Sequence, residues 1–284
     1  MDWSLGTDVI RSRLYMSTTI DGVSGAGRRA ADPPHVQIDL EGLRAQGFLP
    51  DSSKTRQFAD HYRRIKRPII AQAFTAAKPG ADDLRLVMMT SALPGDGKTF
   101  TSINLALSIA HEQDVSVVLI DADVAKQHLS RIFAIERVPG LLDAVVDPER
   151  DLESLILSTS VPGLSIVPAG RQHERATELL ASRRMRKLAE QLVAANPHRI
   201  ALFDSPPLLS SSESRALVQL LGHVVLVARS GVTHQQAVLE AIGCIPEDKP
   251  IGLVLNGREG GLREGYYYGH ELYGEHTDDS SGVP

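Results

Sequence analysis

One cysteine, Cys244, occurs in 284 residues, so no intramolecular disulfide can form and the fold rests on packing alone. With Ile242 and Ile245 beside it, Cys244 reads as a small core residue, and such sparse use suits a reducing compartment. Long apolar runs are also missing. Nothing approaches the roughly 18 residues of a membrane-spanning helix, and the start Met1-Asp2-Trp3-Ser4 has neither the basic flank nor the apolar centre of a signal peptide. The expectation is a cytoplasmic protein with no direct membrane insertion, so that any membrane role must come through a partner. A strong charge of one sign is absent too: the formal net charge is only −5, which gives no electrostatic case for nucleic acid. Aromatic residues make up just 5% of the chain, yet four of the six tyrosines crowd between positions 266 and 273.

What is present is enough apolar material, 42% of residues, for one sizeable core. Residues 1–35 mix Gly, Ser, Ala and Arg without hydrophobic period and read as a flexible arm. Residues 36–256 form the candidate domain. Within it Phe58, Tyr62 and Ile65 share one helical face over 55–66, and Pro68, which disfavours α geometry at Arg67, predicts the end of that helix. Apolar runs of strand length follow at 86–89, 115–120, 164–167, 200–203, 224–227 and 251–255, separated by helical patterns that include 176–193 and 234–242. Near-continuous apolar strands alternating with helices predict an α/β fold, a mostly parallel sheet covered on both faces. Residues 257–284, glycine-rich and acidic, read as a flexible tyrosine-rich tail.

The chemistry concentrates at strand ends. Ala92-Leu93-Pro94-Gly95-Asp96-Gly97-Lys98-Thr99 follows the first apolar run and opens onto a helical pattern, the context of a phosphate-binding loop. Glycines let several backbone N–H groups face one anion, and the following helix adds its positive end. Lys98 would then reach the β and γ phosphates, and the Thr99 hydroxyl would bind Mg²⁺. Two further runs deliver Asp121 with Asp123, and Asp204 before Ser205-Pro206-Pro207. A single strand-end Asp is as often a cap as a ligand; three beside a phosphate loop point to metal and nucleotide.

Together these three segments resemble the Walker A, A′ and B motifs of the bacterial tyrosine kinases, autokinases that control export of capsular and other exopolysaccharides. Pro168-Ala169-Gly170 and the stretch 178–185 are similar to the family's segment between A′ and B, and 60–68 resembles the exosortase-associated subset. The resemblance covers roughly 36–256 and the tyrosine tail. It implies a P-loop NTPase-type fold that binds ATP through Pro94, Gly95, Asp96, Gly97, Lys98, Thr99 and Phe100, with Asn256 near the adenine. It implies Mg²⁺ held by Thr99, Asp121 and Asp204, and catalytic roles for Lys98, Asp121 and Asp123, the last toward the incoming tyrosine hydroxyl. It further implies Tyr266, Tyr267, Tyr268 and Tyr273 as phosphoacceptors, a homo-oligomer contacted through Asp60, Arg63 and Lys66, a separate membrane-embedded polysaccharide chain-length regulator, and a phosphotyrosine phosphatase.

Two departures stand out. Ala125 replaces the arginine that usually follows the second A′ aspartate by two residues, and the family's helical Glu-x-x-Arg-x-x-Arg pattern here reads Asp60, Arg63, Lys66. At this level two alternatives stay open. A positioning-type P-loop ATPase typically carries an extra loop lysine where this chain has Leu93; a non-catalytic nucleotide-sensing regulator remains compatible with Ala125.

Overall fold

In a computed structural model of the chain, the residues described are 35–50, 52–75 and 82–257. One eight-stranded sheet runs in the order β1-β4-β5-β3-β6-β2-β7-β8, where β1 is His35–Val36, β2 Leu86–Ser91, β3 Ser116–Asp121, β4 Leu157–Thr159, β5 Leu164–Val167, β6 Arg199–Asp204, β7 His223–Arg229 and β8 Ile251–Asn256. Every neighbouring pair is parallel except β4 with β5.

The central strands carry unbroken apolar runs, 86–89, 117–120 and 200–203, because both faces are covered. Leu86 and Met88 of β2, Val118 and Ile120 of β3, and Ala201 and Phe203 of β6 enter one core; Val87, Met89, Val117, Leu119, Ile200 and Leu202 enter the other. Side chains alternate faces along a strand, so one apolar run feeds two cores. Helix α3 (Lys98–Ala110) packs on the second face through Ile103, Leu105 and Ile109, and α2 (Thr55–Ala73) lies against it; α1 (Leu40–Ala45) adds Leu43. The opposite face is covered by α5 (Leu141–Val146), α7 (Arg183–Ala194) and α8 (Ser212–Leu217), with α9 (Gln235–Ile242) contributing Ala241. The short helices α4 (His128–Ile132) and α6 (Ala176–Leu180) complete the set. This is the P-loop NTPase-type α/β architecture.

Two helices depart from expectation. Helix α2 does not stop before Pro68 but carries it inside and continues to Ala73. Pro68 sits on the exposed side, while Tyr62, Lys66, Ile69 and Ala73 form a buried stripe at spacings of four, three and four that crosses the proline. Packing of that stripe outweighs the one backbone hydrogen bond the proline cannot donate. The pattern over 176–193 divides into α6 and α7, because Ser182 takes extended geometry and its hydroxyl accepts from Met185 N at 3.1 Å, capping a new helix. No helix among the described residues is long and apolar enough to cross a membrane.

Candidate active site

Strand β2 sits between β6 and β7, so its carboxyl end lies where ligands of open α/β sheets bind. The loop leaving it turns twice through left-handed glycines, Gly95 at φ +90° and Gly97 at φ +92°. Gly97 has a second reason to lack a side chain: a Cβ there would lie 2.0 Å from Asn256 Nδ2. Helix α3 starts at Lys98 with no acidic residue in its first turn. Its first-turn amides have no carbonyl within the helix, and they carry its partial positive charge.

Two neighbouring strands, β3 and β6, bring the acids to this loop. Asp121 and Asp204 are register partners across β3 and β6, and Asp204 also pairs with Met89 of β2. The Thr99 hydroxyl donates to Asp204 Oδ2 at 2.8 Å and the Ser102 hydroxyl to Oδ1 at 2.9 Å. Lys98 Nζ lies 2.9 Å from Asp123 Oδ2 in a pair that is nearly buried. Burial works against the lysine's charge, but Asp204, Asp123 and Asp121 prevail and raise its pKa, so it stays an ammonium. Burial pushes the Asp121 carboxyl up to about 7, with the charge of Asp204 adding and two Ser130 hydrogen bonds opposing. Burial likewise raises Asp204 against Lys98, Thr99 and Ser102.

Asp121 Oδ2 accepts from both Ser130 N and Ser130 Oγ at 2.7 Å, whereas its other oxygen, Oδ1, is buried without a hydrogen-bond partner. A buried carboxylate oxygen left this way is costly unless a cation or its water meets it. The donor set of Thr99, Asp121 and Asp204 is all oxygen, which suits Mg²⁺. Among the described residues no group of three or more His, Cys, Asp or Glu side chains is arranged to hold an ion alone. Mg²⁺ needs no such cage when one or two carboxylates are joined by substrate phosphates.

The segment after Asp123 is pinned from below. Gln127, at φ 50°, donates Nε2 to Gly170 O at 2.7 Å, and Gln172 Nε2 reaches Ala125 O at 2.8 Å. Gly170 is itself required, since at φ +82° a Cβ would lie 2.4 Å from Asp143 Oδ2. Ala125 is exposed, and the Lys126 carbonyl accepts from Arg131 Nη2. Phe100 is half-buried against Phe58, edge to face at 5.8 Å.

The remaining predicted residues fall differently. Asn256, the last residue of β8, donates Nδ2 to Asp96 O at 3.0 Å, so its amide lies against the loop backbone. Asp60 and Arg63 pair with each other on the exposed side of α2. Lys66 does not join them. It is buried, its ammonium donates to Ser108 O at 2.6 Å and pairs with Glu112 at 2.7 Å, so it is spent inside the subunit rather than offered to a neighbour. Tyr266, Tyr267, Tyr268 and Tyr273 lie outside the described residues, as does the arm over 1–34. Sequence reasoning missed Ser102, Ser130 and Thr233. Ser102 lies one turn beyond Thr99 on the same helix face, a readable signal; the other two carry none.

Fold and site together define a P-loop nucleotide-binding domain. The AAA domain family matches residues 85–233, just over half of the chain. The tyrosine-protein kinase YwqD of Bacillus subtilis (strain 168) is 31% identical over 189 residues, which cover 66% of this chain and 78% of that protein. The tyrosine-protein kinase etk of Escherichia coli (strain K12) is 32% identical over 154 residues, 54% of this chain but 20% of that protein, so the chain spans about a fifth of this longer relative. The solved kinase domain of Escherichia coli ETK superposes with a TM-score of 0.56 at 30% identity, covering 65% of this chain and 71% of that one. The chain belongs to the bacterial tyrosine kinases.

Proposed function

We propose that the protein is an ATP-dependent tyrosine autokinase that phosphorylates Tyr266, Tyr267, Tyr268 and Tyr273 of another copy, and thereby regulates exopolysaccharide synthesis or export. The observation that carries this is the convergence of Lys98, Thr99, Asp121, Asp123 and Asp204 on one phosphate loop. The loop amides and Lys98 would hold the phosphates of ATP, and Thr99, Asp121 and Asp204 would hold Mg²⁺. The nucleotide supplies the phosphoryl group and the metal offsets its charge. Lys98 would trade Asp123 for phosphate, which frees the Asp123 carboxylate to accept the proton of a tyrosine hydroxyl as its oxygen gains phosphorus and ADP leaves. Asn256 would border the base.

Tyr266 follows Asn256 by ten positions, a span of at most roughly 33–36 Å, and the exposed Asp60–Arg63 face of α2 would contact the neighbouring subunit. The working unit would be a homo-oligomer held at the cytoplasmic face of the membrane by a membrane-embedded chain-length regulator and reset by a phosphotyrosine phosphatase. Incubation with Mg²⁺ and ATP followed by mass spectrometry tests the reading. Phosphate confined to the four tail tyrosines and lost in Lys98→Met supports it. Turnover of ATP without labelling, or binding without turnover, refutes it.

A further inference from the structure

Asp96 stands in the middle of the phosphate loop, where a carboxylate is the wrong charge for a triphosphate. The structure shows how that charge is managed. The residue is only 3% exposed. Its Oδ2 accepts from Leu93 N at 3.0 Å, at the entry of the same loop, and its Oδ1 accepts from the Thr233 hydroxyl at 2.6 Å. Thr233 belongs to the turn between β7 and α9, where its hydroxyl oxygen also accepts from Arg229 N at 2.8 Å and its own amide closes on Arg229 O at 2.9 Å. The hydroxyl is therefore used in both directions, with its one proton committed to Asp96. The Asp96 carbonyl takes the Asn256 amide at 3.0 Å, so a single residue ties the phosphate loop to the turn after β7 and to the end of β8.

We propose that Thr233 is a positioning residue for nucleotide binding: it holds the Asp96 carboxylate inside the fold, turned from the loop face that receives phosphate. Without the hydroxyl, one carboxylate oxygen loses its donor and the group is free to turn toward the anion site. A like charge a few ångströms from a triphosphate weakens affinity by an order of magnitude or more at the dielectric typical of protein surfaces. Threonine and serine meet the requirement; valine, of the same shape, does not.

The inference rests on the ATP reading above, and direct binding separates the two. Titration calorimetry of ATP with Mg²⁺ would compare the full chain with Thr233→Val, Thr233→Ser and the double variant Thr233→Val/Asp96→Asn, alongside the melting temperature of each protein without nucleotide. Thr233→Val is expected to raise Kd about tenfold or more and Thr233→Ser to stay within about twofold. Neutralising the charge in the double variant should recover most of the lost affinity, with no matching recovery of melting temperature. Wild-type affinity in Thr233→Val, or a double variant as weak as the single one, overturns the proposal. A wild-type chain that binds no ATP overturns the functional reading itself.

Discussion

Lys66 offers the sharpest separation between a residue that holds a subunit together and one that joins two subunits. Its ammonium meets Ser108 O in the last turn of α3, a carbonyl near the negative end of that helix. Replacing it with methionine keeps the buried stem and deletes the charge. A hydrogen bond from a charged donor contributes about 1.5–3 kcal/mol, and a cation at a helix C-terminus about 0.3–1 kcal/mol. The pair with Glu112, whose side chain is 43% exposed, adds little to this. Lys66→Met is therefore expected to lower the unfolding free energy by about 2–4 kcal/mol in urea titrations run at protein concentrations where the chain is monomeric. Arg63→Ala, which disturbs an exposed pair, should move it by no more than about 0.5 kcal/mol while weakening association measured by analytical ultracentrifugation. A Lys66→Met protein with the wild-type midpoint but impaired association would refute the internal role.

Gly97→Ala should abolish ATP binding in calorimetry while leaving the chain folded, because φ +92° strains any L-residue and the new Cβ meets Asn256; wild-type affinity would show that the loop tolerates both. Burial lowers the His223 imidazole to about 4, so the unfolded chain binds the extra proton between about 4 and 6.5, and this residue's contribution to stability should fall by about 3 kcal/mol as pH drops through that window. The difference in unfolding free energy between wild type and His223→Leu in urea titrations should change by that amount across the window, and a difference that does not vary with pH refutes the assignment. Asp121 acts with the opposite sign. Its carboxyl is raised from 3.8 to about 7, so ionising it costs the folded state about 4 kcal/mol by pH 8 without Mg²⁺. Asp121→Asn should accordingly be the more stable protein at pH 8 and no more stable at pH 4; a difference that does not change with pH counts against the argument.

The parts of this molecule that were readable in its sequence are those whose cause is local. Strands buried on both faces need unbroken apolar runs, so 200–203 marks β6 to within a residue at each end. The phosphate loop is equally local, since glycines, lysine and threonine must follow one another for its backbone to turn around an anion. What escaped depends on which surface packs against which. Lys66 carries the same charge as Arg63 and lies three residues on, and only its place in the stripe with Tyr62, Ile69 and Ala73 tells that it faces α3. Pro68 looked like a terminus because the rule for the residue before proline is local, whereas the helix is maintained by contacts on both sides of it.

Long-range polar pairing is the extreme case of the same limit. Asp96 and Thr233 are 137 positions apart, and nothing in the composition around Thr233 distinguishes it from any turn threonine. Yet the chemistry demanded such a partner: a buried carboxylate in a loop built to receive phosphate requires donors for both of its oxygens. Leu93 N supplies one within the loop; the second had to come from elsewhere in the fold. The sequence could pose that requirement at Asp96, and only the packing of the turn after β7 against the loop could answer it with Thr233.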